Sequence, residues 1–128
     1  MTYLNTKWIF NFNDNKGTIQ FVVRKDNNIY YLDCLLTHEK TSRDTQNQII
    51  AKLINLPNNV YRTGDIIIEN EVCFKEYSVK SINLMLKFRN NKISPVSYVT
   101  LNSMNKNNKK RSFTFNMDSI KEYGSFSS

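Results

Sequence analysis

The sequence predicts a β-dominated α+β fold: an antiparallel, strongly curved sheet or a small barrel, with one main helix over about residues 41–56 and a short C-terminal helix. Three observations carry this. Apolar and polar residues alternate with period two along much of the chain, as in Lys7–Asn13 and Ile82–Arg89. Clusters of Asn and Asp separate the runs, and these residues turn a chain because they tolerate the left-handed region. One segment breaks the pattern: Ile49, Ile50, Leu53, Ile54 and Leu56 recur at helical spacing and stop at Pro57.

In order, Lys7–Asn13 reads as a first strand with Trp8, Phe10 and Phe12 on its core face. Asp14-Asn15-Lys16-Gly17 reads as a turn in which Gly17 takes positive φ. Thr18–Arg24 is a second strand, with Ile19, Phe21 and Val23 facing the core. Lys25-Asp26-Asn27-Asn28 turns again, and Ile29–Leu36, apolar on both faces, suits the centre of a sheet. Thr41 or Ser42 then caps the main helix, with Asp44 in its first turn and Gln46, Asn47, Lys52 and Asn55 on its polar face. Asn58-Asn59 and Thr63-Gly64-Asp65 are turns. Ile66–Glu69, Val72–Tyr77, Ile82–Arg89, Val96–Leu101 and Ser112–Met117 are further strands. Asp118 caps a short helix over Ser119–Tyr123 that Gly124 stops. The length fits one compact domain over residues 1–124, with a frayed tail at 125–128.

The opening order β-β-β-α-β-β resembles the OB-fold, whose helix sits between the third and fourth strands. Strands followed by a helix, twice, also resemble the PUR/Whirly architecture. Both families bind single-stranded nucleic acid, and the resemblance implies that class of partner.

The charge distribution points the same way. The 128-residue chain has a net charge of +7 and a pI near 9.5. Val72–Met117 alone carries nine bases (Lys75, Lys80, Lys87, Arg89, Lys92, Lys106, Lys109, Lys110 and Arg111) against the single acid Glu76. Nineteen Asn, with many Lys and Ile, also fit an AT-rich coding sequence, which would raise Lys without any selected partner. Codon bias does not explain why the surplus falls almost wholly after residue 71.

The Asn90-Asn91 pair reads as a two-residue hairpin loop, which sets Arg89 opposite Lys92 and Phe88 opposite Ile93. Extending the register sets Asn83 opposite Tyr98. Directly opposed side chains share a face. Ile82, Leu84, Leu86, Phe88, Ile93 and Val99 then face the core, and Asn83, Met85, Lys87, Arg89, Lys92 and Tyr98 face outward. With Val72 and Phe74 inward, Lys75 and Tyr77 join the outer face, if the chain turns near Ser78-Val79-Lys80. The loop bases Lys109, Lys110 and Arg111 complete the candidate nucleic-acid-binding set. Cations follow phosphates while flat rings stack on bases, at roughly 1–3 kcal/mol per base.

The expectation is therefore a non-catalytic binder of single-stranded DNA or RNA, cytoplasmic or, in a eukaryotic host, nuclear. The alternative is a small viral or mobile-element interaction protein that binds a host protein and inhibits or modulates it. Outward Lys residues also guard strand edges against pairing, which would account for the basic face without any partner. Pro95 marks an edge strand and leaves a sheet-extending homodimer open.

No catalytic motif, metal or cofactor is expected. Cys34 and His38 have Cys-x-x-x-His spacing, but a structural zinc site wants four ligands, and i and i+4 lie about 13 Å apart on a straight strand. His38 reads as a solvated loop residue, and Cys34 and Cys73 as reduced, buried thiols. Asp14, Asp26, Asp65 and Asp118 sit at turn or cap positions. There is no apolar run of roughly 18 residues and no basic leader with a cleavage site, so neither a membrane span nor a signal peptide is expected.

Overall fold

In the computed structural model, residues 3–12, 16–39, 44–117 and 121–125 are described. Thirteen strands lie among them: β1 (Thr6–Phe12), β2 (Gly17–Asp26), β3 (Ile29–His38), β4 (Thr45–Lys52), β5 (Ile54–Leu56), β6 (Val60–Arg62), β7 (Ile66–Ile67), β8 (Cys73–Phe74), β9 (Tyr77–Arg89), β10 (Lys92–Ile93), β11 (Tyr98–Met104), β12 (Lys110–Asn116) and β13 (Lys121–Ser125). One sheet runs β13-β1-β2-β3-β4. The second runs β12-β11-β9-β6-β5, with β7, β8 and β10 also paired to β9. Every pairing is antiparallel.

Alternation decides which face each strand buries. Trp8, Phe10, Phe12, Ile19, Phe21, Val23, Leu32, Cys34 and Leu36 form the inner face of the first sheet. Val79, Ile82, Leu84, Leu86, Phe88, Val99 and Leu101 answer from the second. Aromatic contacts stitch the two: Trp8 to Phe88, Phe10 to Phe115, and Phe12 to Phe74. At one end Tyr3 stacks flat on Phe88, centroids 4.0 Å apart, and its hydroxyl hydrogen-bonds that of Tyr61. The chain passes between sheets at buried Leu53, whose N–H donates to Tyr30 O at 2.8 Å. It passes back between β12 and β13.

Asn does the turning. Asn27-Asn28 and Asn90-Asn91 hold positive φ in two-residue hairpins, and Asn58-Asn59 do so between β5 and β6. Gly17 is not the turn residue expected of it. It opens β2 opposite Phe12, whose ring a Cβ added there would strike, so its use is close approach.

Three expectations are corrected. First, no helix spans 41–56. Residues 45–52 form β4, paired along its whole length with β3, and 54–56 form β5. The inward residues of β4 start as Thr45 and Asn47, both buried, which broke the apolar alternation. They are inward to bind backbone: Thr45 Oγ1 donates to Glu71 O, while Asn47 accepts from the N–H groups of Glu69 and Asn70 and donates to Asn70 O. The proposed caps Thr41 and Ser42 lie outside the described residues. Second, the C-terminal helix is absent over 121–125, which pairs with β1 and includes Ser125 of the supposed tail. Asp118, Ser119 and Ile120 lie outside the described residues. Third, the strands form two open sheets and do not close into an OB-like or Whirly-like barrel.

Phe88→Ala removes the ring shared by Trp8, Tyr3 and Tyr61 and should cost about 3–5 kcal/mol in denaturant unfolding, whereas Val96→Ala, at an exposed site, should stay within about 0.5 kcal/mol. Burial pushes the Cys34 thiol up to about 12. Burial first, and then the Tyr3 hydroxyl, also push Tyr61 upward. Both groups are held neutral in the fold. Their stabilising contribution is complete below the unfolded values, about 9 and 10, and is lost as pH rises above them. Thermal melts should therefore be insensitive to these groups from pH 7 to 8 and fall progressively above about pH 9. Tyr61→Phe should flatten the decline above about pH 10.

Candidate nucleic-acid interface

The outer face of the second sheet is built on β9. Its hairpin with β10 pairs Arg89 with Lys92 and Phe88 with Ile93, as the Asn90-Asn91 loop requires. Beyond the hairpin the register differs from expectation by two residues: Tyr98 stands opposite Met85, not Asn83. Ser94–Ser97 takes up the difference. Ser97 N donates to Ser94 O, and the buried Ser97 hydroxyl accepts from Lys87 N at 2.8 Å, in place of a strand partner. A shift of two keeps every side chain on its face. Lys87, Arg89, Lys92 and Tyr98 therefore share the outer face with Asn83 and Met85.

On the far side of β9, Arg62 pairs with Met85 and extends the row Arg62–Met85–Tyr98–Asn116. Four cations thus share this face with Tyr98, whose ring is the one aromatic on it among the described residues. Towards the other end the rows become neutral and hydrogen-bonded. Thr100 and Thr114 share a bond at 3.0 Å. Asn102 Nδ2 donates to Ser81 Oγ at 3.1 Å, and Ser112 Oγ donates to Asn102 Oδ1 at 2.8 Å. Asn83 Nδ2 donates to Asp65 Oδ1 at 3.0 Å.

The remaining expected residues are placed elsewhere. The chain turns at Lys75-Glu76, both at positive φ, so β8 pairs Phe74 with Tyr77, and Ser78-Val79-Lys80 belongs to β9. Lys75 is at a hairpin tip, its Nζ 5.4 Å from the centroid of the Phe74 ring. Tyr77 shares the inner side with Phe74 and packs edge-on to Phe113. Arg111 caps that end of the core, its guanidinium 4.6 Å from the Phe113 ring centroid and 5.8 Å from that of Tyr77. Lys109 is exposed in a turn that Asn105 organises by accepting from the N–H groups of Asn107 and Lys109. Lys110 starts β12 opposite Met104, at the far end of the outer face.

Two sites were missed. Arg62 was hidden between two turn clusters; the alternation Val60-Tyr61-Arg62, with Tyr61 inward, would have found it. Lys80 sits at a β-bulge: Asn102 pairs with Ser81 but Ser103 pairs with Val79. No local sequence pattern announces that extra residue. Beside it lies a cleft of about 410 Å³ lined by Asp65, Lys80, Ser81, Asn102, Lys110 and Arg111 among others. A larger cleft of about 770 Å³ adjoins it between the Lys75-Glu76 hairpin and the Asn105–Asn108 turn, with Cys73 in its wall.

His38 is not a solvated loop residue: it is buried in β3. Cys34 and Cys73 are both reduced, the first buried and the second half-buried. Among the described residues, no group of three or more His, Cys, Asp or Glu could hold a metal ion, and no helix is long and apolar enough to cross a membrane. Comparisons with family models, curated proteins and solved structures found no match to this chain.

Thiol titration of the native protein should modify Cys73 first, through the adjoining cleft. Cys34 should react only in denaturant, because burial suppresses its thiolate.

Proposed function

We propose that the protein binds single-stranded nucleic acid on the outer face of its second sheet, without catalysis. The observation that carries this is the sharing of one sheet face by Arg62, Lys87, Arg89 and Lys92 with the half-buried ring of Tyr98. Alternate residues of β9 stand about 6.6 Å apart, so Lys87 and Arg89 form a line of charge along an extended backbone. Tyr98 offers a stacking plane beside that line, and Met85 gives it an apolar shoulder. Neither feature reads base identity, so the binding is sequence-tolerant and weakened by salt.

A second reading, binding of a host protein, draws on different residues. Ile50 and Ile67 are 67% and 68% exposed and line one polar-rimmed recess beside β4, the edge strand of the first sheet. An exposed apolar edge of that kind suits a protein partner or a second copy of this chain.

Reversing the charges of Lys87, Arg89 and Lys92 to Glu should weaken binding to single-stranded oligonucleotides by at least about a hundred-fold at low salt and flatten the salt dependence. Tyr98→Ala should cost roughly 1–3 kcal/mol of affinity. Anisotropy titrations against single-stranded DNA, duplex DNA and RNA measure both. Absence of binding at low salt, or indifference to the triple reversal, would sink the interface; a stoichiometric protein complex sensitive to Ile50→Asp would then support the second reading.

A further inference from the structure

We propose that the cleft at the β9 bulge holds a phosphate monoester: the terminal phosphate of a strand lying on the same face. The inference rests on the nucleic-acid reading and adds recognition of a strand end to it.

The first argument is donor supply. Lys80, the extra residue at the register shift, lines the cleft with Lys110, and Arg111 lines it with its guanidinium held over the Phe113 ring. The Ser81 hydroxyl accepts from Asn102, which leaves its own proton to donate. Asn102 has a second amide hydrogen, and its Oδ1 is occupied by Ser112. The polar network is therefore directed: acceptors are used internally, while Ser81 and Asn102 still have protons to give. Such a cleft suits a ligand made of acceptors.

The second argument is charge. Lys80, Lys110 and Arg111 against the single carboxylate of Asp65 give the lining two net positive charges, with the Arg111 guanidinium 4.6 Å from the Phe113 ring centroid at its edge. Asp65 is already engaged by Asn83. A phosphodiester carries one negative charge. A terminal phosphate carries about −1.5 to −2 at pH 7, with three acceptor oxygens, and matches both the charge and the donors better.

The third argument is continuity. Ser81 and Met85 lie on one strand, about 13 Å apart. The neutral rows between them, Asn83–Thr100–Thr114 and Ser81–Asn102–Ser112, offer hydrogen bonds but no fixed charge. A strand held by its end at Lys80 and Lys110 can cross these rows and reach the Tyr98 ring and the Lys87–Arg89 line. A site at only one end of the track also gives the bound strand a direction.

The test uses one short oligothymidylate made with a 5′-phosphate, with a 3′-phosphate, or with hydroxyls at both ends, titrated calorimetrically into the full chain. Thymidine monophosphate and inorganic phosphate serve as separate arms. One phosphorylated form, but not the other, should bind at least about ten-fold tighter than the hydroxyl form. Ser81→Ala should shrink the difference, and Lys80→Gln with Lys110→Gln should abolish it while the thermal melt is unchanged. Equal affinity for all three forms overturns the end site and leaves the interface standing. Binding of the mononucleotide, sensitive to Lys80→Gln, with no binding of any oligonucleotide, supports a phosphomonoester cleft and overturns the strand interface. No binding in any arm overturns both.

Discussion

Strand β9 has to satisfy two solvents at once. It is thirteen residues long and pairs with β6, β7, β8, β10 and β11, so most of the second sheet takes its register from it. Its inner residues Ile82, Leu84, Leu86 and Phe88 are almost wholly buried. Fully burying side chains of this size is worth about 1.5–3 kcal/mol each. A slip of one residue would exchange them for Asn83, Met85, Lys87 and Arg89, burying two cations without partners. That difference locks the outer face as firmly as the inner one. The line of charge on β9 is a by-product of core packing, and needs no separate stabilisation.

The bulge at Lys80 is where this constraint is relaxed. Val79 and Ile82 both point inward although three steps separate them, so two residues between them must share the turn of the chain. Ser81 is buried beside Asn102, and Lys80 is pushed out to the rim of both clefts. Bulges bend a strand and increase its twist, and they recur where a side chain must be re-aimed.

Much of this was legible in the sequence, and the failures have identifiable causes. Period-two alternation located the strands around Trp8, Phe21 and Leu84 because each has one buried face. The Asn90-Asn91 loop set the hairpin register, since two consecutive positive φ angles leave few other residues to choose from. The two-residue excursion at Ser94–Ser97 was illegible, because it depends on Ser97 replacing a strand partner for Lys87. The face assignment survived only because the displacement was even. Tyr77 was misplaced because Lys75-Glu76 makes an Asn-type turn without Asn. The helix over 41–56 failed for a different reason: Asn47 faces inward to bind the backbone of residues 69–70, a long-range demand that mimics a break in alternation.

Strand β1 lies between β2 and β13, so an early segment finds one of its two neighbours only late in the chain, with Thr6 opposite Ser125. During synthesis the β1-β2-β3 meander can pair as soon as it emerges, but one edge of β1 stays open until residues 121–125 leave the ribosome. Trp8, Phe10 and Phe12 must also wait for Phe74, Phe88 and Phe115 before their rings are covered. Such non-local pairing makes folding slow and exposes apolar strand to other chains meanwhile. The aromatic face of β1 is thus the part of the chain left open longest, and that exposure ends only when β13 closes beside it.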